Sequence, residues 1–266
     1  LGLLGGGLVA LLLAVAVLAP VLAPYDPTEI DSGSVLTAPG VSHPLGTDNL
    51  GRDVLSRLVF GARISLVVGL ASVALGSVAG GMLGLVSGYR GGAIDAASQR
   101  LVDALMAFPA LILALAIITA LGSSLVNVVA AIALAQVPWV SRVVRATTLA
   151  TKERGHVEAA RALGSTDLRI MLVHVAPHCL GPFLVVATAA IGVAIIAEAS
   201  LSFLGLGVPP PAPSWGSMLS GATRDYARAA PWMALAPGVA ISMAVYGFNL
   251  LGDTLRDLLD PRLREA

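Results

Sequence analysis

The chain has 266 residues, 56% of them hydrophobic and only 12% charged, with a mean hydropathy of +0.87. A water-soluble domain cannot bury that much apolar surface, so lipid is its solvent, and at about 20 apolar residues per crossing five or six spans leave no room for a second, soluble catalytic domain. A formal net charge of zero gives no electrostatic case for nucleic acid as a partner, and a single cysteine, Cys179, excludes an internal disulfide framework or a cysteine-based metal cluster.

Six apolar runs predict six transmembrane helices, at residues 3–23, 64–88, 104–121, 124–141, 181–203 and 232–252. The expected organisation is an all-α membrane protein with a first helix over 1–24, an extracytoplasmic loop over 25–63 and a five-helix core over 64–252. That core includes a cytoplasmic loop over 142–178 and an outer loop over 206–230, and a cytoplasmic tail over 253–266 follows. The first run exceeds the usual core of a secretory signal and lacks a positive flank, so it is read as a span. The loop after it contains YDPTEIDSG and SHPLGTDNLGRDVLSR, where Pro, Gly, Asp and Asn favour turns, with one short interfacial helix near residues 52–60.

In the second span Ser72, Gly76, Gly80, Gly84 and Gly88 recur every fourth residue and fall on one helical face. Such a stripe lets helices approach closely in lipid. Helix packing is the expected role, and a subunit interface or a sliding surface for a gate is the alternative. Lys and Arg placement sets the orientation. With both termini in the cytoplasm, eleven of these residues fall inside and five outside: Arg52, Arg57, Arg63, Arg224 and Arg228.

The stretch KERGHVEAARALGSTDLRIMLVHVAP, from Lys152 to Pro177, is the most informative. Ala159, Ala160, Ala162 and Leu163 favour helix, Gly164 suits the left-handed position past a helix end, and Ser165, Thr166 or Asp167 can cap a second helix. Two short helices with a glycine corner follow from that reading. Pro177 is expected in the first turn of the fifth span, where it costs no hydrogen bond.

This loop resembles the cytoplasmic loop of bacterial ABC importer permeases: E-A-A, three residues, G, nine residues, I-x-L-P. Glu158, Ala159, Ala160, Gly164 and Pro177 match with the right spacing, whereas His174 and Ala176 replace the pattern's Ile and Leu. More of the chain is similar to the DppC and OppC branch, the permeases of dipeptide, oligopeptide and nickel importers. The supporting stretches are HPLGTDNLGRDVLSR from His43, GARISL from Gly61, GYRGG from Gly88, EASLSFLGLGV from Glu198, PSWGSM from Pro213 and LGDTLRDLLDPR from Leu251. The resemblance implies a type I ABC importer permease fold, with Glu158 to Gly164 forming a coupling helix seated in a groove of an ATPase subunit. It also implies a homologous second permease, two ATPase domains or subunits that bind ATP and Mg, an extracytoplasmic substrate-binding protein and a bacterial inner-membrane location. No cofactor is expected in this chain.

Other chemistry finds little support. A P-loop needs Gly-Lys-Ser or Gly-Lys-Thr, and the one lysine, Lys152, stands between Thr151 and Glu153; it lies outside any span, which also removes a serine/lysine membrane peptidase. His174 and His178 share a helical face beside Cys179, so a metal site is conceivable, but interfacial histidines are the preferred reading. Glu198, late in the fifth span, is the clearest intramembrane charge: it would face a pathway, pair with a partner subunit or be protonated. Asp103, Asn127 and Gln136 are expected near span ends. An oligopeptide or nickel importer is the near alternative, and an ATP-independent secondary carrier is the alternative from another class. The apolar, proline-rich outer segment 206–230 and residues 41–63 are the expected contact for the binding protein.

Overall fold

The computed structural model describes residues 2–223, 226 and 228–259. Arg224, Arg262 and Arg264, and with them the end of the expected tail, lie outside the described residues. Every element among the described residues is helical: α1 (Gly2–Val17), α2 (Ala19–Leu22), α3 (Val54–Arg90), α4 (Gly92–Met106), α5 (Ala110–Leu121), α6 (Leu125–Lys152), α7 (Gly155–Ala162), α8 (Asp167–Arg169) with a π-helical turn Ile170–Val175, α9 (Ala176–Phe203), α10 (Trp215–Thr223) and α11 (Trp232–Leu259). Four helices are long and apolar enough to cross a bilayer: α3, α6, the continuous stretch Asp167–Phe203, and α11; α4 and α5 together make a fifth crossing, bent by 88°. The first expected span is the apolar 16-residue α1, followed by the short α2.

Several boundaries differ from the sequence reading, each for a local reason. The separate interfacial helix expected at residues 52–60 is the start of α3, a single 37-residue helix. Asp53 caps it by accepting from the Ser56 N–H at 2.7 Å, and no proline interrupts it before Gly91, at φ 67°, ends it. The third span, expected over 104–121, is broken because Pro109 has no N–H and holds Phe108 away from helical geometry, leaving α5 only 12 residues. Pro177 stands in the first turn of α9, as expected, although α9 runs on from α8 without a break as one Asp167–Phe203 stretch. The preceding π turn, in which the Ala176 N–H donates to Met171 O, accommodates it by widening the ladder where a proline would otherwise clash. The non-helical part of the 142–178 loop thereby shrinks to a few residues either side of α7.

The glycine stripe explains the centre of the bundle. A Cβ built on Gly76 would lie 2.6 Å from Ala133 O, one on Gly80 2.6 Å from Val137 O and one on Gly88 2.9 Å from Thr148 Cβ, and one on Gly84 would collide with Ser141 O. The stripe is therefore a close-packed seam between α3 and α6, the packing role expected for it. Its partners advance in the same direction along both helices, so α3 and α6 run parallel. Consequently the bent α4–α5 pair must carry the chain back across, as one broken span.

The remaining helices alternate around that pair. Glu198, near the end of α9, meets Ser65 near the start of α3, so α9 is antiparallel to α3. Gly2 abuts Thr254 and Gly5 abuts Leu250, which sets α1 antiparallel to α11. The start of α1, the end of α11 and α7 therefore share one end of the bundle, here the loop end. Residues 25–53 and the segment around α10 form the opposite, cap end.

Candidate functional site

At the loop end, α7 is held by both its faces and its termini. Val157 and Ala160 turn inward onto a buried cluster with Val140, Val144, Ile170 and Val175. Gly164, at φ 77°, closes the helix as the loop reading required: its N–H donates to Arg161 O at 3.0 Å, and the Ser165 N–H donates to Ala160 O at 3.1 Å, the paired bonds of a Schellman cap. Thr166 then caps α8 through the Arg169 N–H. Of the predicted coupling residues, Glu158, Ala159 and Gly164 are exposed, whereas Ala160 is buried. The small side chain of Ala160 packs against the bundle. Pro177 is exposed but belongs to a separate cleft of about 940 Å³ beside the loop, lined also by Thr147, Thr151, Arg154, His178 and Arg256.

Polar ties make the loop end stiff. The Arg145 guanidinium donates to both oxygens of Asp95, at 2.6 and 2.5 Å, a bidentate pair that fixes α4 to α6. Lys152 Nζ donates to Gly88 O at 3.0 Å, and the Tyr89 hydroxyl donates to Asp167 at 2.9 Å. Sequence reasoning missed Leu163 and Leu168, whose side chains are 86% and 61% exposed next to the glycine corner. Their signal was available in the sequence as two leucines flanking a helix stop within an otherwise polar loop.

At the cap end the motif HPLGTDNLGRDVLSR folds into a closed turn. Asp48 accepts from the Leu50 and Arg52 backbone N–H groups at 2.8 and 3.0 Å and from Arg52 Nε at 2.7 Å, while Asp53 pairs with His43 at 3.0 Å. The Thr28 hydroxyl and N–H hold the Asp26 carboxyl below the ordinary carboxylate range. This turn is welded to the α10 segment: Trp215 Nε1 donates to Leu58 O at 3.0 Å, Trp232 Nε1 donates to Thr47 O at 3.2 Å, and Val54, Met218, Ala230 and Met233 form a buried cluster beneath. The two stretches expected to receive a binding protein thus make one surface.

Glu198 is 0% exposed. It accepts from Ser65 Oγ at 2.9 Å and Ser202 Oγ at 2.7 Å, so its carboxyl is enclosed by its own chain and opens on neither a pathway nor a second subunit. Asp103 is at a surface, paired with Arg142 at 2.6 Å, and Asn127 caps α5 through the Leu121 and Gly122 carbonyls. Gln136 is not near a span end, because α6 is longer than expected; its amide is buried with no partner among the described residues. No three His, Cys, Asp or Glu side chains gather as a metal site among the described residues. Instead His178 stacks on His156, with ring centroids 5.0 Å apart, and Cys179 is buried beside Thr148.

The described residues form a helical bundle with the exposed helix α7 at one end and a hydrogen-bonded cap at the other. Residues 80–265 match the family described as "binding-protein-dependent transport system inner membrane component", and residues 1–39 match "N-terminal TM domain of oligopeptide transport permease C". The chain belongs to this family of inner-membrane transport components and is an ABC importer permease. It is 45% identical to the di/tripeptide transport system permease protein DppC of Pseudomonas aeruginosa over 98% of this chain and 88% of that one. It is 44% identical to the glutathione transport system permease protein GsiD of Pectobacterium atrosepticum, over 97% and 86%. In fold it resembles a chain of the inward-facing MetNI methionine ABC transporter, with a TM-score of 0.61 and 21% identity over 76% of this chain and 96% of that one.

Proposed function

We propose that the chain is the permease subunit through which an ATP-driven importer moves dipeptides or other small peptides into the cytoplasm. It would form half of the translocation pathway with a homologous second permease. Two ATPase subunits, which carry ATP and Mg, would dock at the loop end, and a substrate-binding protein would dock at the cap end. The single observation that carries this reading is the loop-end geometry, where Glu158 and Ala159 are offered outward on a helix that Val157 and Ala160 anchor to the bundle. Leu163 and Leu168 supply the apolar contact beside them. The names of the relatives favour peptide over nickel as the substrate class. The excess of Lys and Arg toward the loop end supports cytoplasmic termini.

Proteoliposomes carrying the assembled complex, with binding protein outside, test the reading. A labelled dipeptide should accumulate only with ATP, and a longer peptide, glutathione or nickel should compete less well. Accumulation without ATP or without partner subunits would instead make the chain a secondary carrier. Deleting residues 209–213, on the outer segment, should weaken binding-protein affinity about tenfold or more, since a docking surface concentrates its energy in a few residues. Unchanged affinity by surface plasmon resonance would remove this segment from the interface.

A further inference from the structure

We propose that Glu198 is a positioning residue of the transport cycle, delivering movements of the loop end to the cap; this rests on the transport reading above. The chain from Asp167 to Phe203 is one continuous helix, starting at the corner beside α7 and carrying Glu198 on its last turns. At that far end Glu198 is the hub of a buried polar network. Ser65 Oγ, which donates to Glu198, also accepts from the Trp215 N–H at 3.2 Å, and Ser214 Oγ donates to Ser202 Oγ at 3.3 Å. Two hydroxyls thus tie the carboxyl to α3 and to the first residues of α10, with Ser65 bridging to Glu198 and to Trp215 across sequence separations of 133 and 150 residues. Ser65, Ser214 and Trp215 are all at most 1% exposed.

Close approach of glycines to α9 completes the seat. A Cβ on Gly216 would lie 2.6 Å from Ala199 Cα, and one on Gly207 would lie 2.5 Å from Ser202 Cα. Trp215 packs beside Leu66 and Ile195 in a buried cluster, and the hydroxyl and carboxylate bonds add a directional register of α10 against α9 to that apolar contact. A leucine would fill the space without the cost of burying a carboxyl in a span. What leucine lacks is a directional link that holds α10 to the rod as both move. Because packed interfaces switch between discrete arrangements rather than deforming smoothly, a shift of the rod at its α7 end reaches α10 through this hub.

The test uses the full complex in proteoliposomes, with Cys179→Ser removing the native thiol and Met218→Cys reporting on the cap. Met218, on α10, is 7% exposed. The reporter's rate of reaction with a membrane-impermeant maleimide added outside should change about fivefold or more between the nucleotide-free and vanadate-trapped states. In Glu198→Leu that nucleotide dependence should vanish while ATPase subunits still co-purify. In Glu198→Gln, which keeps an acceptor for one serine and a donor for the other, it should persist. If Glu198→Leu does not assemble, the Ser65→Ala/Ser202→Ala pair is read the same way. A nucleotide response that survives in Glu198→Leu or in the serine pair overturns the proposal, as does an unresponsive reporter in the parent complex. Dipeptide uptake by the parent, measured in the same vesicles, separates these outcomes from failure of the transport reading.

Discussion

Gly84→Val should strongly destabilise the folded chain. A Cβ at this position has nowhere to go: it meets the Ser141 carbonyl and lies 3.0 Å from the Arg145 amide nitrogen, and backbone atoms cannot rotate aside as a side-chain tip can. Overpacking of this kind costs about 1–3 kcal/mol where the surroundings relax, and here relaxation means separating α3 from α6. In lipid that separation is costly, because close approach and dispersion, rather than exclusion from water, hold helices together. Cys179 provides the readout, since it is buried and its reaction with a thiol-activated fluorophore on heating reports unfolding. Gly84→Val should lower the midpoint sharply and Gly84→Ala less so. Gly7→Val, with nothing within 4 Å of the added carbon, should melt like the parent. Equal midpoints for Gly84→Val and the parent would show that the seam is not the close contact described.

The second large effect is functional. Glu158→Lys should leave that thermal midpoint almost unchanged, because the side chain is exposed and exposed charges contribute little to stability. ATP-driven uptake should nevertheless fall about tenfold or more, since reversing a charge at a docking surface costs several kcal/mol. Leu163→Glu should act in the same direction by removing apolar contact. Uptake indifferent to both substitutions would remove α7 from the coupling role and move the search to the cleft around Arg154 and Arg256.

The residues that proved legible in sequence are those whose role is set by spacing along one helix. Gly76, Gly80, Gly84 and Gly88 lie four apart, and geometry alone puts them on one face. Gly164, followed by a cap at Thr166, announces a corner because left-handed backbone and side-chain capping are local properties. What needed the fold were relations between helices. Nothing in a single sequence pairs Glu198 with Ser65, and without that pairing a carboxyl in a span reads as a pathway residue. Ala160, named with its neighbours because the motif was taken as a block, is buried against the bundle. Helical phase places it three residues after Val157, on the inward side. Helix ends were the least legible, because polar residues such as Arg57 and Arg63 mark a water boundary without stopping a helix, so α3 runs straight through them.

That continuity restricts how the protein can vary. At 1.5 Å per residue α3 is about 55 Å long, well beyond the roughly 30 Å of hydrocarbon, and it is fastened at both ends, to Trp215 and Glu198 through Leu58 and Ser65 and to Lys152 and Asp167 through Gly88 and Tyr89. One inserted residue between these fastenings would rotate one set by about 100° against the other. Length changes are therefore confined to the turns at the bundle's two ends, and α3 acts as a fixed gauge that sets both the distance of the cap from the loop end and the azimuth at which it faces whatever docks there.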